Sequence, residues 1–253
     1  MFSSADYLRL QRIMEESPEK KDLLTRLLDT HQMTISTISH EIRNPLTLVS
    51  GTMQLIETRH PEVLHFTHWS EMHQDIAYMT QLLNELTTYN NGERLNLSFI
   101  DMNTFFKTLA LSFATTIVHT EIQFISHISS GLPSFYGDSV KLKEVFLNLL
   151  SNARDAVTDY STCNAEFLPT IRLSVSSELD SLIIRISDNG CGMSQNTLSQ
   201  IFEPFVTFKK NGTGLGLAIA SKIIHSHKGA IHAESLPGIH TTFTVSLPVQ
   251  KNG

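Results

Sequence analysis

Cysteine is scarce: Cys163 and Cys191 are the only two in 253 residues. Two isolated thiols make neither a disulfide framework nor a zinc spacing, which fits a reducing compartment. No run approaches the roughly 18 consecutive apolar residues of a membrane-spanning helix. The opening MFSSADYLRLQRIMEESPEKK carries charges of both signs and no long apolar core, so it does not read as a secretory signal. A dense Lys/Arg block is also missing and the formal net charge is -6, which argues against a nucleic-acid partner. Internal repeats and low-complexity tracts are absent. The expectation is a cytoplasmic protein with no membrane span. Little chain precedes its first motif, so a signal would enter from a separate sensor or regulatory protein, or through residues 1–20.

What is present divides in two. Hydrophobic residues make up 41% of the chain, ample for a packed core, and the length suits two domains. Leu24, Leu28, His31, Ile35, Ile38, Ile42, Pro45 and Val49 step by fours and threes, which keeps one seam toward a partner helix. Met72, Ile76, Met79, Leu83 and Leu86 repeat the habit, and Arg59-His60-Pro61-Glu62 interrupts between them. Two such helices form an antiparallel hairpin, which buries enough only by pairing with a second copy as a four-helix bundle. After Asn90-Asn91-Gly92 the period falls to two: Leu95/Leu97/Phe99, Ile122/Phe124/Ile128, Ile171/Leu173/Val175, Leu182 to Ile186, and Thr241 to Leu247. Helical stretches are expected near 102–117, 138–158 and 214–228, giving an α/β sandwich with helices on one face. The division expected is residues 1–20 as an N-terminal segment, 21–92 as the helical hairpin and 93–253 as the α/β domain, with a hinge between Asn90 and Arg94.

Ser39-His40-Glu41-Ile42-Arg43-Asn44-Pro45-Leu46 is the strongest string in the first half. With Ile35, Ile38 and Ile42 on the seam, His40 falls on the opposite face, where a neutral imidazole can act as a nucleophile. Glu41 is near enough to hold the other ring N–H, and Asn44, one turn on, is placed to position a water. Pro45 removes a helical hydrogen bond and should kink the helix beside His40. His60, His65, His68 and His73 gather at the turn and read as solvated polar residues rather than a metal site; Trp69 is expected to pack at the bundle end.

Four segments mark the second half. Asn148 and Asn152 stand four apart on one helix face, and amide oxygens suit Mg²⁺. Asp188-Asn189-Gly190-Cys191-Gly192 follows a strand, where a carboxylate can accept from an exocyclic amine and glycines allow close approach. Ile201-Phe202-Glu203-Pro204-Phe205 lies in a polar stretch of the kind that makes a lid. Gly212-Thr213-Gly214-Leu215-Gly216 opens a helix whose free N–H groups and dipole attract phosphate; no Lys-Ser/Thr follows, so it is not a P-loop.

Taken in order, these strings resemble the phospho-acceptor box, N box, first glycine box, F box and second glycine box of bacterial two-component histidine kinases, over roughly residues 20–250. The resemblance implies a dimeric hairpin followed by a Bergerat-type ATP-binding domain shared with gyrase. It implies that ATP and Mg²⁺ are the cofactors, that His40 is phosphorylated, that Glu41 assists as base and that Asn44 helps dephosphorylate the partner. Asp188 would contact adenine, Asn148 and Asn152 would hold the metal, and Gly212, Gly214 and Gly216 would cradle phosphate. Gly190, Gly192, Phe202, Leu215 and Thr242 would complete the nucleotide site, with Lys209 and Lys210 as phosphate partners by location. The partners implied are a response-regulator receiver domain, whose aspartate takes the phosphoryl group, and a second copy of the chain. The alternatives are a relay phosphotransferase or a signalling scaffold whose ATP domain is not catalytic. Two departures stand out: Asp155 sits where many members carry Lys or Arg, and Gly238-Ile239-His240-Thr241 replaces Gly-x-Gly-Thr.

Overall fold

The computed structural model describes residues 17–91, 95–161, 167–209 and 212–249. Lys210, Cys163, most of the N-terminal segment, and Gly92 to Arg94 within the expected hinge lie outside them, as do the side chains of Leu28 and His31. The chain divides into two compact units, residues 1–91 and 92–253.

The first unit is a hairpin of α1 (Pro18–Arg59) and α2 (Trp69–Asn91). Pro18 opens α1 at a position where a missing N–H costs nothing. Helix α1 runs on through Pro45 without interruption. The connection is longer than a four-residue turn, because Pro61–His65 forms a 3₁₀ turn before α2 begins. The contact between the helices centres on Ser39, Met53, Leu83 and Asn90, all buried, and Asn90 Nδ2 donates to the Gln32 carbonyl at 2.6 Å. This departs from the seam expected through Ile38, Ile42 and Val49, which remain exposed. A helix with two apolar stripes explains the difference: one faces α2 and the other is left uncovered within a single chain. At the turn His60 pairs with Glu62 and His68 with Glu71. Glu57 accepts from Trp69 Nε1 and meets His73 Nε2, both at 2.7 Å; the Trp69 hydrogen bond, supported by His73, holds that carboxyl below its ordinary range.

The second unit is one five-stranded sheet with helices on one face. Strands β2 (Gln123–Ile128), β4 (Thr170–Glu178), β5 (Ser181–Asp188), β7 (His240–Pro248) and β6 (Ala230–Leu236) lie in that spatial order, with only β2 and β4 parallel. β1 (Ser98–Ile100) and β3 (Phe135–Gly137) form a separate antiparallel pair. The alternation in β5 buries Leu182, Ile184 and Ile186 on one side, as a half-covered strand requires. Onto that side pack α3 (Met102–Thr116), α4 (Ser139–Ser161) and, beyond the one-turn α5 (Gln195–Leu198), α6 (Gly216–Ser226). Phe106, Leu142, Phe146, Leu149 and Leu150 are fully buried between helices and sheet.

Two caps fix the helix starts. Asp101 accepts from the N–H groups of Asn103 and Thr104 at the head of α3. Asp138 accepts from Val140 and Lys141 ahead of α4, and its other oxygen takes the Asn96 N–H. Its own N–H donates to Nε2 of buried His227, whose Nδ1 bonds the Ile223 carbonyl. His227 therefore carries its proton on Nδ1, and burial holds its pKa below the ordinary value.

Candidate functional site

His40 is exposed on α1, as the residue pattern predicts. Its neighbour differs from the one expected. Nδ1 lies 3.2 Å from Arg43 Nη1, while among the described residues no hydrogen bond joins His40 to Glu41. Residues three apart share a helix face and residues one apart do not. A guanidinium can only donate, so Nδ1 accepts and the proton of the neutral ring sits on Nε2. Arg43 Nη2 also donates to Asn84 Oδ1 at 3.0 Å and approaches Thr87 Oγ1 at 3.5 Å, tying the His40 face of α1 to α2. Arg43 is the residue that sequence reasoning missed here, although its i+3 spacing from His40 was a usable signal. Asn44 is exposed beside them.

In the second unit, α4, the end of β5 and the start of α6 converge. Asp188 closes β5 and is buried at 4% exposure. Burial pushes its carboxyl up to about 6, against the pull of the Gly190 N–H, which donates to Oδ1 at 3.0 Å, and of nearby His240. Gly190 is required by what lies next to it: a Cβ there would come within 2.6 Å of the Ala156 carbonyl in α4. The glycine thus seats the loop against the helix. The next residue but one, Gly192, takes φ +60 against the Leu236 carbonyl.

Asn152 Nδ2 donates to Asn148 Oδ1 at 3.0 Å, so the two amides do share a face. Asn152 Oδ1 in turn accepts from Lys209 Nζ at 2.8 Å. That ammonium also reaches Asp155 Oδ2 at 2.7 Å. An amide oxygen that already meets a positive charge fits a cation site. Asn148 fits less directly, because its oxygen is engaged by Asn152 and its amide would have to turn.

Helix α6 starts at Gly216 with Leu215 ahead of it and no side-chain cap, which leaves the first N–H groups to a ligand. Leu215 is fully buried, and its N–H donates to Thr213 Oγ1 at 3.3 Å, so its part is to anchor the helix start. Gly214 adopts φ +70 where a Cβ would strike the Phe205 backbone at 2.6 Å, and its carbonyl accepts from the Phe205 N–H at 2.9 Å. The F-box and glycine segments are thereby joined. Gly212 N–H donates to the Lys209 carbonyl at 3.2 Å. Phe202 lies edge-on to Phe243 of β7, and Thr242 shares a 2.9 Å hydrogen bond with Ser187 of β5.

Residues 30–94 match the His Kinase A (phospho-acceptor) domain, and residues 137–251 match the histidine kinase-, DNA gyrase B- and HSP90-like ATPase. The chain belongs to the two-component sensor histidine kinases, of which it covers the catalytic core. It is 32% identical over 216 residues to signal transduction histidine-protein kinase AtoS of Escherichia coli (strain K12), covering 85% of this chain and 34% of that one. It is 31% identical over 229 residues to sensory histidine kinase/phosphatase NtrB of Rhizobium meliloti (strain 1021), covering 85% and 58%. The chain thus spans between a third and three fifths of the length of these relatives. The fold is that of full-length ShkA solved with AMPPNP (TM-score 0.71, 23% identity, 85% of this chain and 45% of that one). It is also that of ThkA solved with the response regulator TrrA (TM-score 0.62, 21% identity, 94% and 67%). Among the described residues no helix is long and apolar enough to cross a membrane.

Proposed function

We propose that the chain binds ATP, moves its γ-phosphoryl group onto His40 and passes it from there to an aspartate of a response-regulator receiver domain. The observation that carries this reading is the pairing, in one chain, of an exposed histidine within the phospho-acceptor match and a buried carboxylate beside an uncapped helix start within the ATPase match. Asp188, when ionised, accepts from the adenine amine. The first N–H groups of α6 receive phosphate oxygens, and Lys209 supplies positive charge. Asn152, and Asn148 once its amide turns, would hold Mg²⁺, which would offset charge on the phosphate chain. Phosphoryl transfer asks for in-line placement more than covalent help. The ATP-binding unit brings Pγ in line with a ring nitrogen of His40, whose lone pair forms the N–P bond as the bond to the bridging oxygen of ADP breaks. The ring proton leaves to Glu41 or water, and Arg43 must release Nδ1 for the ring to change tautomer.

The uncovered stripe of Ile38, Ile42 and Val49 suits pairing with a second copy into a four-helix bundle, and a receiver domain would dock on that bundle. A relative named as a kinase/phosphatase favours a second activity, in which Asn44 positions water against the receiver's phosphoaspartate. The chain would act in the cytoplasm. Purified protein mixed with a receiver domain and γ-labelled ATP should show label on the kinase first and on the receiver afterwards. A receiver labelled at the same rate with the His40→Gln variant would defeat the proposal.

A further inference from the structure

The departure at Asp155 has a counterpart elsewhere in the fold. Asp155 lies three residues after Asn152, on the same face of α4, where a basic side chain would meet the phosphate chain. In its place the carboxylate gathers two cations. Arg154 donates to Oδ1 through Nε and Nη2 at 3.3 and 3.1 Å. Lys209 donates to Oδ2 at 2.7 Å while its second contact, Asn152 Oδ1, lies 2.8 Å away. The lysine comes from the segment after Phe205, 54 residues along the chain from Asp155.

We infer that Asp155 is a positioning residue for Lys209, and that the pair replaces the basic side chain missing at position 155 of α4. This inference rests on the proposed ATP site. Before nucleotide binds, the ammonium is parked on Asp155 and Asn152, beside the uncapped start of α6. The pair is half exposed, at 42% and 35% of side-chain surface, so it is screened and only weakly held. A triphosphate carries far more negative charge than one carboxylate and draws the ammonium away. Asn152 Oδ1 is then freed at the moment a cation bound to the nucleotide needs an oxygen. Asp155 keeps the flexible lysine within reach and lowers the ordering cost of recruiting it.

The test is equilibrium binding of ATP and ADP to the full chain, with Mg²⁺ and with EDTA. Lys209→Gln should weaken ATP at least tenfold and ADP less, with the larger loss in EDTA, where no metal shares the charge. Adding Asp155→Lys to Lys209→Gln should restore most of the lost ATP affinity by returning the cation to α4; Asp155→Arg serves if the lysine version does not fold. Asp155→Asn alone should narrow the preference for ATP over ADP without changing the unfolding temperature of the free protein. ATP affinity unchanged in Lys209→Gln, or no recovery in either double variant, would overturn the inference. A wild-type chain that binds neither nucleotide would instead overturn the ATP site beneath it, so the two failures are distinguishable.

Discussion

At the scale of single residues, the chemistry depends on groups held in environments that water would not give them. Asp188 is the clearest. Its folded pKa of about 6 stands above the ordinary 3.8, so its charge opposes folding. That penalty is fully present above about pH 6 and is gone below the ordinary value. Asp188→Asn should therefore raise the unfolding temperature at pH 8, leave it unchanged near pH 4 and abolish nucleotide binding. Since the proposed contact with adenine needs the ionised form, wild-type affinity for ATP should fall about tenfold per unit below pH 6. Equal destabilisation of Asp188→Asn at both pH values would contradict this account. Gly190 is constrained differently. Gly190→Ala places a methyl group against the α4 backbone at Ala156, which cannot give way as a side-chain end can. Loss of about 1–3 kcal/mol of stability in a denaturant titration is expected. The residue types at His40, Asn152 and Asp188 were legible in the sequence because each stands in a string with a mechanism. The contacts of Lys209 were not, because a flexible cation chooses its partner in three dimensions, and Arg43 offered only its spacing from His40.

At the scale of elements, periodicity located most of the fold. The expected helices near 102–117 and 138–158 are α3 and α4 with bounds moved by a few residues, and the alternating stretches are β2, β4, β5 and β7. Strand β3 escaped because three residues cannot show a period. Strand β6 escaped because its AIHAESL is mostly exposed and carries no clean alternation. The hairpin illustrates a limit of seam reading. Heptad spacing marked a stripe on α1, yet Ser39, a polar residue, sits in the contact with α2, with its hydroxyl satisfied by the Ile35 carbonyl at 2.8 Å. Of the marked stripe, Ile38, Ile42 and Val49 are left exposed. Ile38→Glu with Ile42→Glu should leave the hairpin folded and convert a dimer into a monomer in light scattering, with ATP affinity unchanged. In the other unit, Phe146→Ala empties a fully buried site in α4 and should cost about 3–5 kcal/mol.

At the scale of the whole molecule, the proposed reaction divides between the two units. The hairpin would carry the acceptor, and the sheet with its three covering helices would carry the nucleotide site. Neither half explains the other's residues. A scaffold that only binds nucleotide has no use for the exposed histidine string, and a passive relay has none for a buried carboxylate at the end of β5. The most direct test is incubation with γ-labelled ATP and Mg²⁺, followed by acid and alkali treatment of the protein, for the wild type and His40→Gln. The account predicts label that is acid-labile and alkali-stable in the wild type and absent from His40→Gln, with ATP affinity equal in the two. Acid-stable label, or label of the same kind retained in His40→Gln, would contradict it.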